Sequence, residues 1–216
     1  MTTTTIATGV PTLGVAFRHA LPGSTPDRVI STLTWGPYVH TELWLDRGDG
    51  SKPRTYASFR GYSGFTPSVV EDPRPWKVVR FPLQPGGYER VYAVFLQLIA
   101  LSLPYNERDL WQCCIQVALP FEADLDCERP ETWGALGGVF CSQAALLVLR
   151  RLWRAGVVRL PPEQAALVET THSRGCSPNA LYHLLRRREE KKTWMKVCWP
   201  KAVPRLCTCQ PRIRQA

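Results

Sequence analysis

Two short segments hold the residues best suited to chemistry. One is Tyr38-Val-His40-Thr-Glu42-Leu-Trp44-Leu45. The other is Val139-Phe-Cys141-Ser142-Gln143, which runs into an apolar stretch ending at Leu152. A thiol in the first turn of a helix is acidified by the peptide dipoles and by any imidazole beside it. A histidine fixed on a strand can supply that imidazole, and the pair activates sulfur for attack on a carbonyl. Cys141 is therefore the candidate nucleophile and His40 the candidate base. The backbone amides of Cys141 and Ser142, at the helix start, would face an oxyanion. The plainer alternative for Cys141 is a small buried residue at a helix start.

The elements that must position these residues follow from periodicity. Tyr38–Leu45 alternates as a strand, with His40, Glu42 and Trp44 on one face and Val39, Thr41, Leu43 and Leu45 on the other. Asp46-Arg-Gly-Asp-Gly50 reads as a turn, and Arg54–Arg60 as the returning strand of a hairpin. A hairpin centred near Gly48–Gly50 brings Tyr56–Ser58 opposite Tyr38–His40. Ser58 is then the first choice, and Glu42 the second, for a group that orients the imidazole. Leu13–His19 and Trp76–Pro82 are further strands. Ser24-Thr-Pro26 opens a short helix, with Ser24 as N-cap and Pro just inside the start. Gly86-Gly87 precedes a helix from Tyr88 to Leu103. In the loop Asn106–Gly138, Trp111–Leu119 fits either helix or strand. Cys141–Ala155, Pro161–Glu169 and Ser177–Arg188 read as helices. Strands first and helices afterwards argue for an α+β domain.

The order of elements resembles the circularly permuted, NlpC-type papain-like cysteine hydrolases, a superfamily that includes lecithin–retinol acyltransferase-like proteins and viral and bacterial branches. The matching segments are Tyr38-Val-His40-Thr-Glu42-Leu, Tyr56-Ala-Ser58-Phe and Phe140-Cys141-Ser142-Gln143. Leu103-Pro-Tyr105-Asn106 and Ser177-Pro178-Asn179-Ala-Leu181 are similar to viral-type members. The resemblance spans roughly Leu13 to Leu185. It implies an antiparallel sheet with the nucleophile-bearing helix packed against it. It also implies a thiol hydrolase, cysteine peptidase or acyltransferase acting on a peptide, amide or lipid ester, without a cofactor. Two departures are visible: relatives often have Glu where this chain has Gln143, and His, Glu or Gln where this hairpin offers Ser58. A serine orients imidazole less strongly than a charged acceptor, so a catalytically inactive scaffold or binding module is one alternative reading. A membrane-associated lipid acyltransferase or phospholipase is another.

Composition bounds the rest. With 216 residues, 44% hydrophobic and 21% charged, the chain suits one globular domain. The layout reads as a lead-in over 1–12, a domain over 13–185 and a tail over 186–216. That tail holds ten Lys or Arg and two Glu, so most of the net charge of +9 belongs to it. It could draw the chain to an anionic partner or membrane surface, whereas no motif for specific nucleic-acid binding accompanies it. Cys198, Cys207 and Cys209, with Cys176 and His183 upstream, are weak metal candidates, because Cys-x-Cys is not the paired knuckle of strong zinc sites. The start lacks the basic and apolar regions of a secretory signal, and no apolar run is long enough to span a bilayer. Reduced thiols inside a cell are expected.

Overall fold

The computed structural model describes residues 9–58, 65–68, 72–115, 124–135 and 137–186. Five strands, β1 (Thr12–His19), β2 (Tyr38–Asp46), β3 (Arg54–Ser58), β4 (Phe65–Ser68) and β5 (Trp76–Pro82), form one antiparallel sheet in the order β4-β3-β2-β1-β5. The helices are α1 (Thr25–Leu33), α2 (Gly87–Ala100), α3 (Glu107–Ile115), α4 (Cys141–Arg154), α5 (Pro162–Thr170) and α6 (Pro178–Arg186). The protein is thus α+β. Two elements differ from the sequence reading. β4 had no counterpart in the sequence reading, and it contains Pro67, a residue unsuited to a central strand. Its place at the sheet edge explains the tolerance, because an edge strand can lack one amide donor. α3 settles the helix-or-strand choice in favour of helix up to Ile115.

Side-chain alternation divides the sheet into two faces. Leu13, Val15 and Phe17 of β1 pair with Leu45, Leu43 and Thr41 of β2. The apolar members of these pairs join Val91, Phe95 and Leu98 of α2 and Ala145, Leu149 and Leu152 of α4 in the main core. Burying one such large side chain contributes about 2 kcal/mol, so this pattern determines which face the helices cover. The opposite face presents Ala16 and Arg18, Glu42 and His40, Trp44 and Trp76. The Trp44 and Trp76 rings lie 5.9 Å apart.

The alternation breaks at the start of β2. Arg18 pairs with His40 but His19 pairs with Tyr38, so Val39 is an extra residue. This bulge returns Tyr38 to the helical side, where its ring meets Tyr182 at 4.3 Å and Phe17 at 5.7 Å. Asn179 of α6 fixes the same residue. Its Oδ1 accepts from the Tyr38 amide at 3.0 Å, and its Nδ2 donates to the Tyr38 carbonyl at 2.8 Å and to Thr34 Oγ1 at 2.6 Å. Gly36 lies so close that a Cβ there would sit 2.3 Å from the Asn179 Oδ1.

α4 is central, with every residue from Cys141 to Arg150 buried. A buried cation needs partners. Arg150 donates from Nε to the Val168 carbonyl at 2.9 Å and from a terminal nitrogen to Asp124 Oδ2 at 3.0 Å. No helix among the described residues is long and apolar enough to cross a membrane.

Candidate active site

Cys141 is the first residue of α4, and the segment before it is fastened from several directions. Gly138 adopts a left-handed backbone with φ 83°, and a Cβ there would lie 1.9 Å from the Pro104 carbonyl oxygen. Only glycine fits such an approach. The Val139 amide donates to Pro104 at 3.1 Å, and the Val139 carbonyl accepts from the Asn106 amide at 3.3 Å and from Ser58 Oγ at 2.9 Å. Gln143 Oε1 accepts from the Phe140 amide at 3.2 Å, a half capping box at the helix start. Ser142 Oγ donates to the Cys176 carbonyl at 2.7 Å.

These bonds bring the sulfur to β2. The Cys141 thiol hydrogen-bonds with the His40 ring, and the backbone amides of Thr41 and Ser142 also donate toward it. Burial opposes ionisation, but the imidazolium and these three bonds outweigh it and hold the Cys141 pKa below the ordinary thiol range. Burial would likewise lower His40. The facing thiolate, followed by the nearby Glu42 carboxylate, instead raises it to about 9. The two displacements run in opposite directions, each toward the charged form of its group. The contrast within the chain is instructive, since burial pushes Cys127 up to about 11 and Cys176 up to about 12.

Glu42 is 4% exposed, with Oε1 3.5 Å from His40 Nε2. The Trp76 ring closes another side of the imidazole, tilted by 67° to it with centroids 6.2 Å apart. Ser58 lies elsewhere. Tyr56, expected opposite His40, pairs with Leu43, three residues further along β2. An odd shift changes the face. Ser58 therefore joins Tyr56 on the helical side and anchors Val139, while Glu42 is the residue beside the imidazole. Of the expected oxyanion donors, the Ser142 amide is directed at the sulfur in this state.

Away from these polar partners the sulfur's surroundings are apolar. Cys141 is 3% exposed and clusters with Phe140, Leu110 and Cys113, against which Ile30, Leu33, Tyr105 and Trp111 pack. Tyr105 also lines a polar cavity of about 440 Å³ that it shares with Asn106, Asp109 and Arg174. Leu33 lines a second, apolar hollow of about 320 Å³ on α1.

Asn179, Asn106 and the Thr41 amide contribute to the site without having been assigned a role from sequence. The two asparagines lay in matching motifs, whereas a backbone amide leaves no mark in a sequence. Among the described residues no three His, Cys, Asp or Glu side chains gather where they could hold a metal ion. Cys198, Cys207, Cys209 and the basic run beyond Arg186 lie outside the described residues. Comparisons with protein-family models, with curated proteins and with solved structures returned no match.

Proposed function

We propose that the protein is a thiol-dependent hydrolase or acyltransferase of the permuted NlpC-type papain-like kind, acting on an amide, ester or thioester through Cys141 and His40. The observation that carries this reading is the helix-initial sulfur hydrogen-bonded to a strand imidazole, with their pKa values moved in opposite directions. The order of the two residues in the chain, and the sheet against which α4 packs, support the permuted layout.

The chemistry follows from the pair. The Cys141 thiolate attacks the carbonyl carbon; a C–S bond forms and the π electrons move to oxygen. A helix-start amide stabilises that oxyanion, a device worth ~3–4 kcal/mol per donor. As the bond to the leaving amine, alcohol or thiol breaks, the His40 imidazolium hands it a proton. Neutral His40 then takes a proton from water, or from an acceptor nucleophile, as that group attacks the acyl-thioester. The C–S bond breaks and the thiolate–imidazolium pair returns. Glu42, beside Nε2, keeps the ring oriented toward the sulfur throughout.

One observation favours a second reading, an inactive binding module: the sulfur is nearly sealed by apolar side chains. Labelling with a thiol-directed acyl probe separates the two. The active reading expects one labelled site, lost in Cys141→Ala with the circular dichroism spectrum unchanged. Equal labelling of the variant, or no labelling of the wild type at Cys141, refutes it.

A further inference from the structure

The carboxylate beside His40 is itself held from the neighbouring strands. Ser68 Oγ on β4 lies 2.8 Å from Glu42 Oε2 and 2.8 Å from Thr55 Oγ1 on β3. Thr55 Oγ1 in turn donates to the Ser68 carbonyl. The hydrogens can be assigned by counting. Each hydroxyl has one. The Thr55 hydrogen is committed to the Ser68 carbonyl, so Ser68 is the donor in the contact between the two hydroxyls, and its one hydrogen is shared between Thr55 Oγ1 and Glu42 Oε2. The carboxylate is the stronger of its two acceptors. Glu42 then has Oε2 fixed by Ser68 and Oε1 turned to His40 Nε2 at 3.5 Å. Glu42 is almost fully buried, so water does little to hold its orientation.

We propose that Ser68, backed by Thr55, is a positioning residue of the Cys141–His40 site, aiming the Glu42 carboxylate at the imidazole. The inference rests on the reading of Cys141 and His40 as a reactive pair and extends it to two strands that hold neither residue. The other charged groups near His40 do not duplicate this role. Arg18, its cross-strand neighbour on β1, is engaged by Asp27 of α1 at 3.0 Å. β5 contributes the uncharged Trp76. α4 contributes Cys141 itself.

The test needs no substrate. The rate at which iodoacetamide alkylates Cys141, mapped by mass spectrometry across pH, reports ionisation of the thiol in the folded full-length chain. With Ser68→Ala, a less well aimed Glu42 supports the imidazolium less, so the sulfur ionises at higher pH. The acid limb of the profile should move up by about half a unit, roughly a threefold loss of rate at a pH on that limb. Ser68→Thr, which keeps the hydroxyl, should restore the wild-type limb. Glu42→Gln should shift the limb further, and adding Ser68→Ala to it should change nothing more. Thr55→Val, nearly isosteric, should shift the limb the same way by less, and it serves if Ser68→Ala folds poorly. A Ser68→Ala or Thr55→Val profile that overlays the wild type, even with a lower melting temperature, overturns the positioning role. So does a Ser68→Ala shift that persists in the Glu42→Gln background. A wild-type Cys141 that alkylates like an ordinary thiol, with its limb in the usual thiol range, overturns the reactive pair as well.

Discussion

Replacing Asn179 with alanine should damage both stability and the site. Its amide makes three buried hydrogen bonds, at 3.0, 2.8 and 2.6 Å, to both backbone groups of Tyr38 and to Thr34 Oγ1. A typical buried hydrogen bond contributes about 1 kcal/mol net, and an orphaned buried amide costs about 1–3 kcal/mol. Loss of three bonds, with the Tyr38 amide and carbonyl stranded beside the bulge, should cost about 4 kcal/mol. For a domain of this size that corresponds to roughly 8–16 °C in Tm. Asn179→Asp is the informative companion. It keeps the acceptor for the Tyr38 amide but sets an oxygen against the Tyr38 carbonyl and against a Thr34 hydroxyl whose hydrogen is given to Ile30. It should therefore be about as destabilised as the alanine variant at neutral pH. Urea unfolding followed by circular dichroism gives the stability, and Cys141 alkylation on the same samples gives the site. Because Tyr38 precedes His40 by two residues, both variants should also alkylate more slowly at neutral pH. A loss below about 1 kcal/mol for Asn179→Ala, or an aspartate variant as stable as wild type, would refute the clamp.

Further outcomes are expected. Turnover should rise with pH from below the ordinary thiol range, as Cys141 ionises, and fall near pH 9, as His40 loses the proton that the leaving group needs; a falling limb near the ordinary imidazole pKa contradicts the pair. In Cys141→Ala the thiolate's pull on His40 is gone while burial remains, so an NMR titration should find the imidazole pKa well below about 9. Gly138→Ala forces a side chain into left-handed backbone and onto the Pro104 carbonyl, and should cost about 3 kcal/mol or more by urea unfolding while slowing Cys141 alkylation. Arg150→Met leaves Asp124 and two carbonyl groups without their cation, and should cost about 3 kcal/mol by the same assay.

Much of this arrangement could be read from residue order, for identifiable reasons. β1, β2 and β5 have alternation strong enough to mark both their extent and their buried face. Ser24 and Pro26 mark the start of α1, and Ser24 Oγ accepts from the Asp27 amide at 3.3 Å as an N-cap does. The thiol at the head of α4 was legible because a glycine pair precedes it and a long apolar face follows. What stayed hidden depends on register. The pairing of β2 with β3 lies three residues from the position expected from the Gly48–Gly50 turn, and no residue type in the turn signals such a shift. That one difference exchanges Ser58 for Glu42 at the imidazole. The Val39 bulge was equally silent, because valine suits a regular strand as well as an irregular one. β4 carries a single large apolar side chain, Phe65, too little for a period of two to register.

The fastening of the Val139–Ser142 segment has a consequence for biosynthesis. Its tethers reach back to Ser58 and Pro104 and forward to Cys176, so a ribosome must release most of the domain before the sulfur can settle beside the imidazole. Until then the thiol is an ordinary one, largely protonated at neutral pH. The acidity of a single cysteine thereby becomes a readout of whether distant parts of the polypeptide have come together.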